Sequence, residues 1–252
     1  MSRILARRVK ELRFRVKTFL GTRPSLYFPI YRFKNRHSDL LVNKDTDLCV
    51  EGFPRSANSF TVSAISAAQT GNIRIAHHTH VPANAIRACQ LGVPTLILIR
   101  DPFDAITSLT ALRHQTRNVS PSQAAESPAI SFALQINAWI AFYDSLLRHR
   151  DRYVIAPFET VIGDIGVVTA ALNKEFGTDF DLFEHTSENV AALHQERGYH
   201  AGPSKQRSAI KEGVRSAFER QADSNPTVKA RLSDATRLYE RWISMSSLHA
   251  NS

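Results

Sequence analysis

The sequence predicts an α/β fold: one domain on a mostly parallel, doubly wound sheet, with a helical C-terminal part and a basic N-terminal arm. Three observations carry this. From residue 47 onward, short runs of β-formers alternate with helical patterns. Prolines open several of the helices and glycines close them, the order that helix termini favour. The charge is unevenly placed. Residues 1–36 hold eleven basic side chains and one acidic, Glu11, a local balance of +10 within a total of +9. The body is therefore close to neutral, and the division falls into an arm, 1–46, and a domain, 47–252. A chain of 252 residues is long enough for one full core.

Taken in order, residues 3–20 read as an amphipathic helix. Leu5, Val9, Leu12, Val16 and Phe19 recur at helical steps, with Arg8, Lys10, Arg13, Arg15 and Lys17 between them. Residues 21–46 read as irregular because of Pro24, Pro29 and a polar stretch. Leu48 to Phe53 is a short buried strand, followed by a loop and a helix from about Asn58 to Gln69. Asn72 to Ala76 is a second strand, and Pro82 opens a helix that Gly92 closes. Pro94 to Ile99 is the strongest strand signal, and Asp101-Pro102 caps the next helix. Residues 116–128 form a Ser/Pro-rich loop long enough for a lid. A long helix over about 130–149 leads to the strand Tyr153 to Ala156, a helix over 165–176 ends at Gly177, and the tail from Gly202 is mainly helical.

Composition excludes several classes. Cys49 and Cys89 stand alone, without a CxxC or a Cys/His zinc spacing, so neither a disulfide scaffold nor a bound metal is expected. The N-terminus alternates charge with apolar residues and lacks the apolar core of a secretory signal. No run is apolar enough for a membrane span. These features predict a cytoplasmic location. With the charge confined to the arm, no nucleic-acid partner is expected; an anionic membrane surface, met through residues 3–20 at the inner membrane face, is the functional alternative to a helix docked on its own domain.

Two segments suit anions. Gly52-Phe53-Pro54-Arg55-Ser56-Ala57-Asn58-Ser59-Phe60 lies at a strand-to-helix junction and is P-loop-like, with backbone N–H groups and a helix dipole aimed at a phosphate. Against the G-x-x-x-x-G-K-[ST] pattern, Ala57 replaces the second glycine and Asn58 the lysine, while Arg55 puts a cation in the loop itself. The second segment has Arg100 at the end of the best strand and Ser108 two turns into the next helix, a pair able to bind another phosphate. Between them lies His77-His78-Thr79-His80-Val81-Pro82. In an extended chain His78 and His80 share a face and His77 takes the other. A neutral histidine there is a natural general base.

These segments, in this order and spacing, resemble the sulfotransferases that use 3′-phosphoadenosine 5′-phosphosulfate (PAPS). Pro54 to Phe60 is similar to that family's 5′-phosphosulfate loop, with Arg55 as the cation, Ser59 as the hydroxyl, and Ser56, Ala57, Asn58 and Phe60 completing it. Arg100 and Ser108 match its 3′-phosphate motif, an Arg followed by a Ser eight residues on. The segment His78-Thr79-His80-Val81-Pro82 resembles the family's Lys-Thr-His-Leu-Pro, which implies His80 as the catalytic base and leaves His78 where that lysine stands. The resemblance extends more weakly to Phe158, implied to stack on adenine, and to Lys205 and Arg207, implied to contact the 3′-phosphate. The left-handed backbone that a glycine permits would be strained at Ala57.

The expected function is transfer of a sulfuryl group from PAPS to an acceptor hydroxyl, with a glycan or lipid-linked glycan favoured. His80 would serve as base and Arg55 as the stabilising cation. Two other readings stand beside it. One is a P-loop ATP-dependent phosphotransferase or nucleotide-binding protein, weakened by the lysine missing at Asn58. The other is a catalytically inactive binding protein that uses the basic arm. The acceptor's identity and the oligomeric state are not written in the sequence.

Overall fold

Four parallel strands organise the computed structural model, which describes residues 3–32, 38–117, 130–197 and 205–248. They are β1 (Leu48–Gly52), β2 (Ile75–His77), β3 (Thr95–Ile99) and β4 (Val154–Pro157), arranged in the order β2-β1-β3-β4. Val50 stands opposite His77 on one side and Leu96 on the other, and Ile97 stands opposite Ile155. The strands are short and mostly buried on both faces, so they read as largely apolar runs, with Glu51 in β1 and His77 at the end of β2 as the ionisable exceptions. Alternation along β3 sorts the two faces. Leu96 and Leu98 meet Val62, Ile65, Val168 and Leu172, whereas Ile97 and Ile99 meet Ile106, Ile136, Trp139 and Phe218. A mixed α/β domain with helices on both faces results, as expected.

The helices are α1 (Arg3–Gly21), α2 (Pro24–Arg32), α3 (Asn58–Ala68), α4 (Pro82–Leu91), α5 (Pro102–Gln115), α6 (Phe132–Leu146), α7 (Phe158–Gly163), α8 (Ile165–Phe176), α9 (Ser187–Arg197), α10 (Lys205–Ser224) and α11 (Pro226–Ser244). Their ends follow local chemistry. The Asp101 carboxylate accepts from the Asp104 N–H with Pro102 first in α5, and Gly92 and Gly177 close α4 and α8 in the left-handed conformation.

Three boundaries differ from the sequence expectation. Residues 21–46 are not irregular throughout. They contain α2, with Pro24 in its first turn and Pro29 inside it, and a 3₁₀ turn at Ser38–Leu40. Burial of Tyr27 and Phe28 against Leu41, Val42 and Val81 outweighs the hydrogen bond lost at Pro29. The second strand begins at Ile75 rather than Asn72, because only Ile75 to His77 lie opposite β1. The long helix ends at Leu146 and tightens into a 3₁₀ segment, Leu147–Arg152, where five of six residues are charged or histidine. Most of the 116–128 loop lies outside the described residues.

The N-terminal helix is docked on the body. Phe14 packs against the larger core, and the Glu11 carboxylate accepts from the Ser131 N–H at 3.3 Å. At the helix end, a Cβ on Gly21 would stand 2.6 Å from Val81 Cγ1. Gly21 therefore lets α1 approach the segment just after His80. Gly21→Ala should cost about 1–3 kcal/mol, the usual range for overpacking. It should be read as a lower denaturant midpoint with unchanged m; an unchanged midpoint would mean that the contact yields freely.

Candidate functional site

All four strands run the same way, so their carboxyl ends deliver Gly52, His77, Ile99 and Pro157 to one edge of the sheet. Ligands of open α/β sheets sit at this edge. It carries a cavity of about 550 Å³, bordered by Arg55, Ala57, Asn58, Ser59, Phe60, His80, Arg100 and Phe158 among others.

The loop after β1 is tightly shaped. A Cβ on Gly52 would lie 2.7 Å from the Leu98 carbonyl oxygen, so the chain passes β3 only as glycine. Arg55 and Ala57 both take left-handed backbone, with φ of 76° and 69°. For residues with a Cβ this costs roughly 1–2 kcal/mol each, and such strain gathers at functional sites. The expected strain at Ala57 is thus present. Ala57 is the N-cap of α3, and no side chain caps that helix. Its first N–H groups have no acceptor within the helix and point their dipole into the cavity.

Arg55, Arg100 and Ser108 meet in one network. Arg55 Nε donates to Ser108 Oγ at 3.0 Å, and Arg100 Nη1 donates to the Arg55 carbonyl at 3.0 Å. The Arg100 guanidinium lies 3.9 Å from the ring centre of Phe158, so one face of that ring is already covered. Two buried polar atoms, Asn58 Oδ1 and Arg100 Nε, have no hydrogen-bond partner among the described residues. Buried polar atoms are rarely left so unless something else meets them. Ser56 and Ser108 stand behind the cavity wall rather than on it. Lys205 and Arg207 lie in the first turn of α10, but their side chains are outside the described residues.

The histidine segment departs from the extended geometry expected of it. His78 and His80 have φ of 58° and 52°. This turn brings the His77 and His78 rings together, with their Nδ1 atoms in hydrogen-bond contact, instead of placing them on opposite faces. His78 Nε2 meets Ser59 Oγ at 2.8 Å, so both of its nitrogens are engaged. His80 differs. Its Nδ1 lies 3.1 Å from the Gly52 carbonyl, an acceptor only, so in neutral imidazole that nitrogen carries the hydrogen. Nε2 is then the basic nitrogen of a ring that borders the cavity. Burial, reinforced by the nearby cationic and histidine groups, pushes the His80 pKa down to about 3.

Sequence reasoning missed the residue that holds this turn. Glu51, fully buried in β1, accepts from Thr79 N at 3.0 Å, Thr79 Oγ1 at 2.6 Å, His80 N at 3.0 Å and Asn84 Nδ2 at 3.0 Å. Burial raises its pKa to about 7 against the pull of those donors. The signal was a lone acid in an apolar strand. Also missed were Lys17 and Arg113, which border the cavity beside His80, and Ile162, Val190 and His194, which border it near Phe60 and Phe158. Lys17 brings the arm into the site, so the arm is not separate from it. Among the described residues, no group of three or more His, Cys, Asp or Glu side chains is placed to hold a metal ion.

No family model matches the chain, and no curated protein matches it. Among solved structures it is similar to the crystal structure of mouse sulfotransferase SULT7A1 complexed with PAP, with 9% identity over 79% of this chain and 91% of that one, at a TM-score of 0.40. No residue's role follows from a likeness at that level.

Glu51 and His80 make opposing contributions to stability. Glu51 binds its proton more tightly folded than unfolded, so it lowers stability as pH rises from 4.5 to about 7. His80 binds its proton less tightly folded, so it raises stability as pH rises from about 3 to 6.5. The two slopes offset each other over most of that span. Denaturant titrations should therefore show Glu51→Gln gaining stability with pH there and His80→Gln losing it, each relative to the wild-type slope. Parallel profiles for all three proteins would contradict the assignment. Ala57→Gly relieves a left-handed residue and should stabilise by about 1 kcal/mol, or roughly 2–4 °C in Tm; a lower Tm would count against strain there.

Proposed function

We propose that the chain is a sulfotransferase that moves a sulfuryl group from PAPS to an acceptor hydroxyl, with His80 as general base. The observation that carries this reading is the placement of His80. Its basic nitrogen belongs to a cavity that also holds an uncapped helix N-terminus and three arginines, Arg55, Arg100 and Arg113.

The residues suit a bisphosphorylated adenosine. The amides from Arg55 to Phe60, the Arg55 guanidinium and the Ser59 hydroxyl suit the 5′-phosphosulfate end. Arg100, with its buried Nε still lacking a partner among the described residues, suits the 3′-phosphate, with Ser108 behind it. Lys205 and Arg207 remain proposed contacts to the same group. Phe60, Ile162, Val190, His194 and the uncovered face of Phe158 make the apolar end of the cavity, where a purine ring fits. Asn58 donates to the Phe53 carbonyl at 3.2 Å and so fixes the loop, a role the phosphate-binding lysine of nucleotide P-loops does not fill.

In the reaction, His80 Nε2 takes the acceptor's hydroxyl proton as that oxygen bonds to sulfur. The bond from sulfur to the phosphate oxygen breaks, and adenosine 3′,5′-bisphosphate leaves. Arg55 and the loop amides meet the charge that grows on the departing oxygen, worth about 2.7–4 kcal/mol per well-placed donor. The lowered pKa keeps His80 neutral but makes it a weak base in the empty site, and the negative charge of bound phosphosulfate raises its basicity. His78, with both nitrogens engaged, suits a positioning role for Ser59.

On the acceptor side, a hollow of about 120 Å³ shares Lys17, Pro54, His80, Leu109 and Arg113 with the main cavity and adds Phe14 and Phe142. Two cations over an apolar floor suit an acceptor that carries negative charge, as acidic glycans and lipid-linked glycans do. The test is His80→Ala. Its affinity for adenosine 3′,5′-bisphosphate should stay within about twofold, while transfer of labelled sulfate from PAPS to a source-cell extract falls about 10²–10⁴-fold. A variant that transfers sulfate at the wild-type rate would remove His80 from the role of base.

A further inference from the structure

Helix α1 has two faces, and the site accounts for only one of them. At 100° per residue, Glu11, Phe14, Thr18 and Gly21 lie on the side that packs against the body. Leu5, Leu12, Val16 and Phe19 lie on the far side, within about 80° of circumference. They are exposed by 49%, 61%, 48% and 54%, high values for large apolar side chains. The sequence periodicity that marks an amphipathic helix therefore describes the outward face, not the docked one. Helix α2 adds Leu26 and Ile30, also exposed and one turn apart.

Charge is arranged around this stripe. By the same helical phase, Arg8 and Arg15 border one edge and Arg13 the other, and all three are exposed. The single acidic side chain of α1, Glu11, sits on the docked side, paired with Arg7 and with the Ser131 N–H. The outward face thus presents apolar side chains between arginines and no carboxylate. An anionic lipid surface matches it in both respects: an apolar layer for the stripe and a layer of negative headgroups for its margins. A second copy of the chain would bring the same positive margins into contact with these.

We propose that the outward face of α1 docks on an anionic lipid bilayer, lying in the interface plane while its inward face stays on the body. Docking needs no unfolding, because the two faces are opposite. It also sets the cavity beside the membrane, since Lys17 of the same helix borders it. The proposal does not depend on the reaction catalysed.

Co-sedimentation of the full chain with vesicles tests it. Phosphatidylcholine vesicles holding roughly one-third phosphatidylglycerol should bind at least about tenfold more tightly than pure phosphatidylcholine, and added salt should weaken the difference. Leu12→Asp/Phe19→Asp should lose at least about tenfold in binding to the anionic vesicles, and Phe19→Asp also gives up the Arg23 guanidinium that lies 3.9 Å from its ring. Val16→Asp provides a second variant should the double one melt early. Arg8→Glu/Arg15→Glu should lose the preference for anionic over neutral vesicles. Three results would overturn the proposal: no binding to anionic vesicles, binding that all these variants retain, or a wild-type dimer that Leu12→Asp/Phe19→Asp converts to monomer.

Discussion

A buried carboxylate holds the cavity end of the sheet in shape. Glu51 sits in the middle of the sheet and receives four hydrogen bonds, three of them from Thr79 and His80. A buried donor left without its acceptor costs about 1–3 kcal/mol, so four donors converging on one carboxyl group hold the turn firmly. That turn keeps His78 and His80 left-handed, and their conformation delivers His80 Nδ1 to the Gly52 carbonyl and the ring to the cavity. The fourth donor, Asn84, also bonds the Leu40 carbonyl and the Val42 N–H, which ties the segment before the sheet into the same arrangement. A left-handed backbone recurs at Arg55 and Ala57 across the cavity. Strain is thus gathered on the two loops that follow β1 and β2, neighbouring strands of the sheet.

Much of this was legible in the chain. Parallel strands bury both faces, so Leu96 to Ile99 stands out as an uninterrupted apolar run and Leu48 to Gly52 as one broken only by Glu51, and Gly92, Asp101 and Gly177 mark helix ends by their own chemistry. Arg55, Arg100 and Ser108 were readable as a set because each follows a strand that ends at the same edge. What could not be read came from contacts distant in sequence. Helix α2 survives an internal proline only because Tyr27 and Phe28 find a core. Glu51 is one acid in a buried strand by sequence, and the donors that satisfy it come from residues 79–84. Lys17 and Arg113 enter the site from helices whose sequence says nothing about the cavity they border. The histidine geometry was misread because alternation assumes extended chain, which a positive φ breaks.

The basic arm also changes in meaning. Its charge and periodicity suggested an appendage, but Gly21 against Val81 and Phe14 against the core join it to the body within reach of His80. One helix therefore serves the cavity with its inward side and leaves an apolar, arginine-edged side outward. Among the described residues no helix is long and apolar enough to cross a membrane.

The central claim is that the cavity is built for adenosine with phosphates at both ends, and one calorimetric comparison addresses it. The full chain should bind adenosine 3′,5′-bisphosphate at least about tenfold more tightly than adenosine 5′-monophosphate, because Arg100 gains a charge-assisted partner only from the 3′-phosphate. ATP with magnesium should bind more weakly than the bisphosphate. Equal affinity for the two adenosine phosphates, or tighter binding of ATP with magnesium, would contradict the account and return the loop at Gly52 to an ordinary nucleotide site.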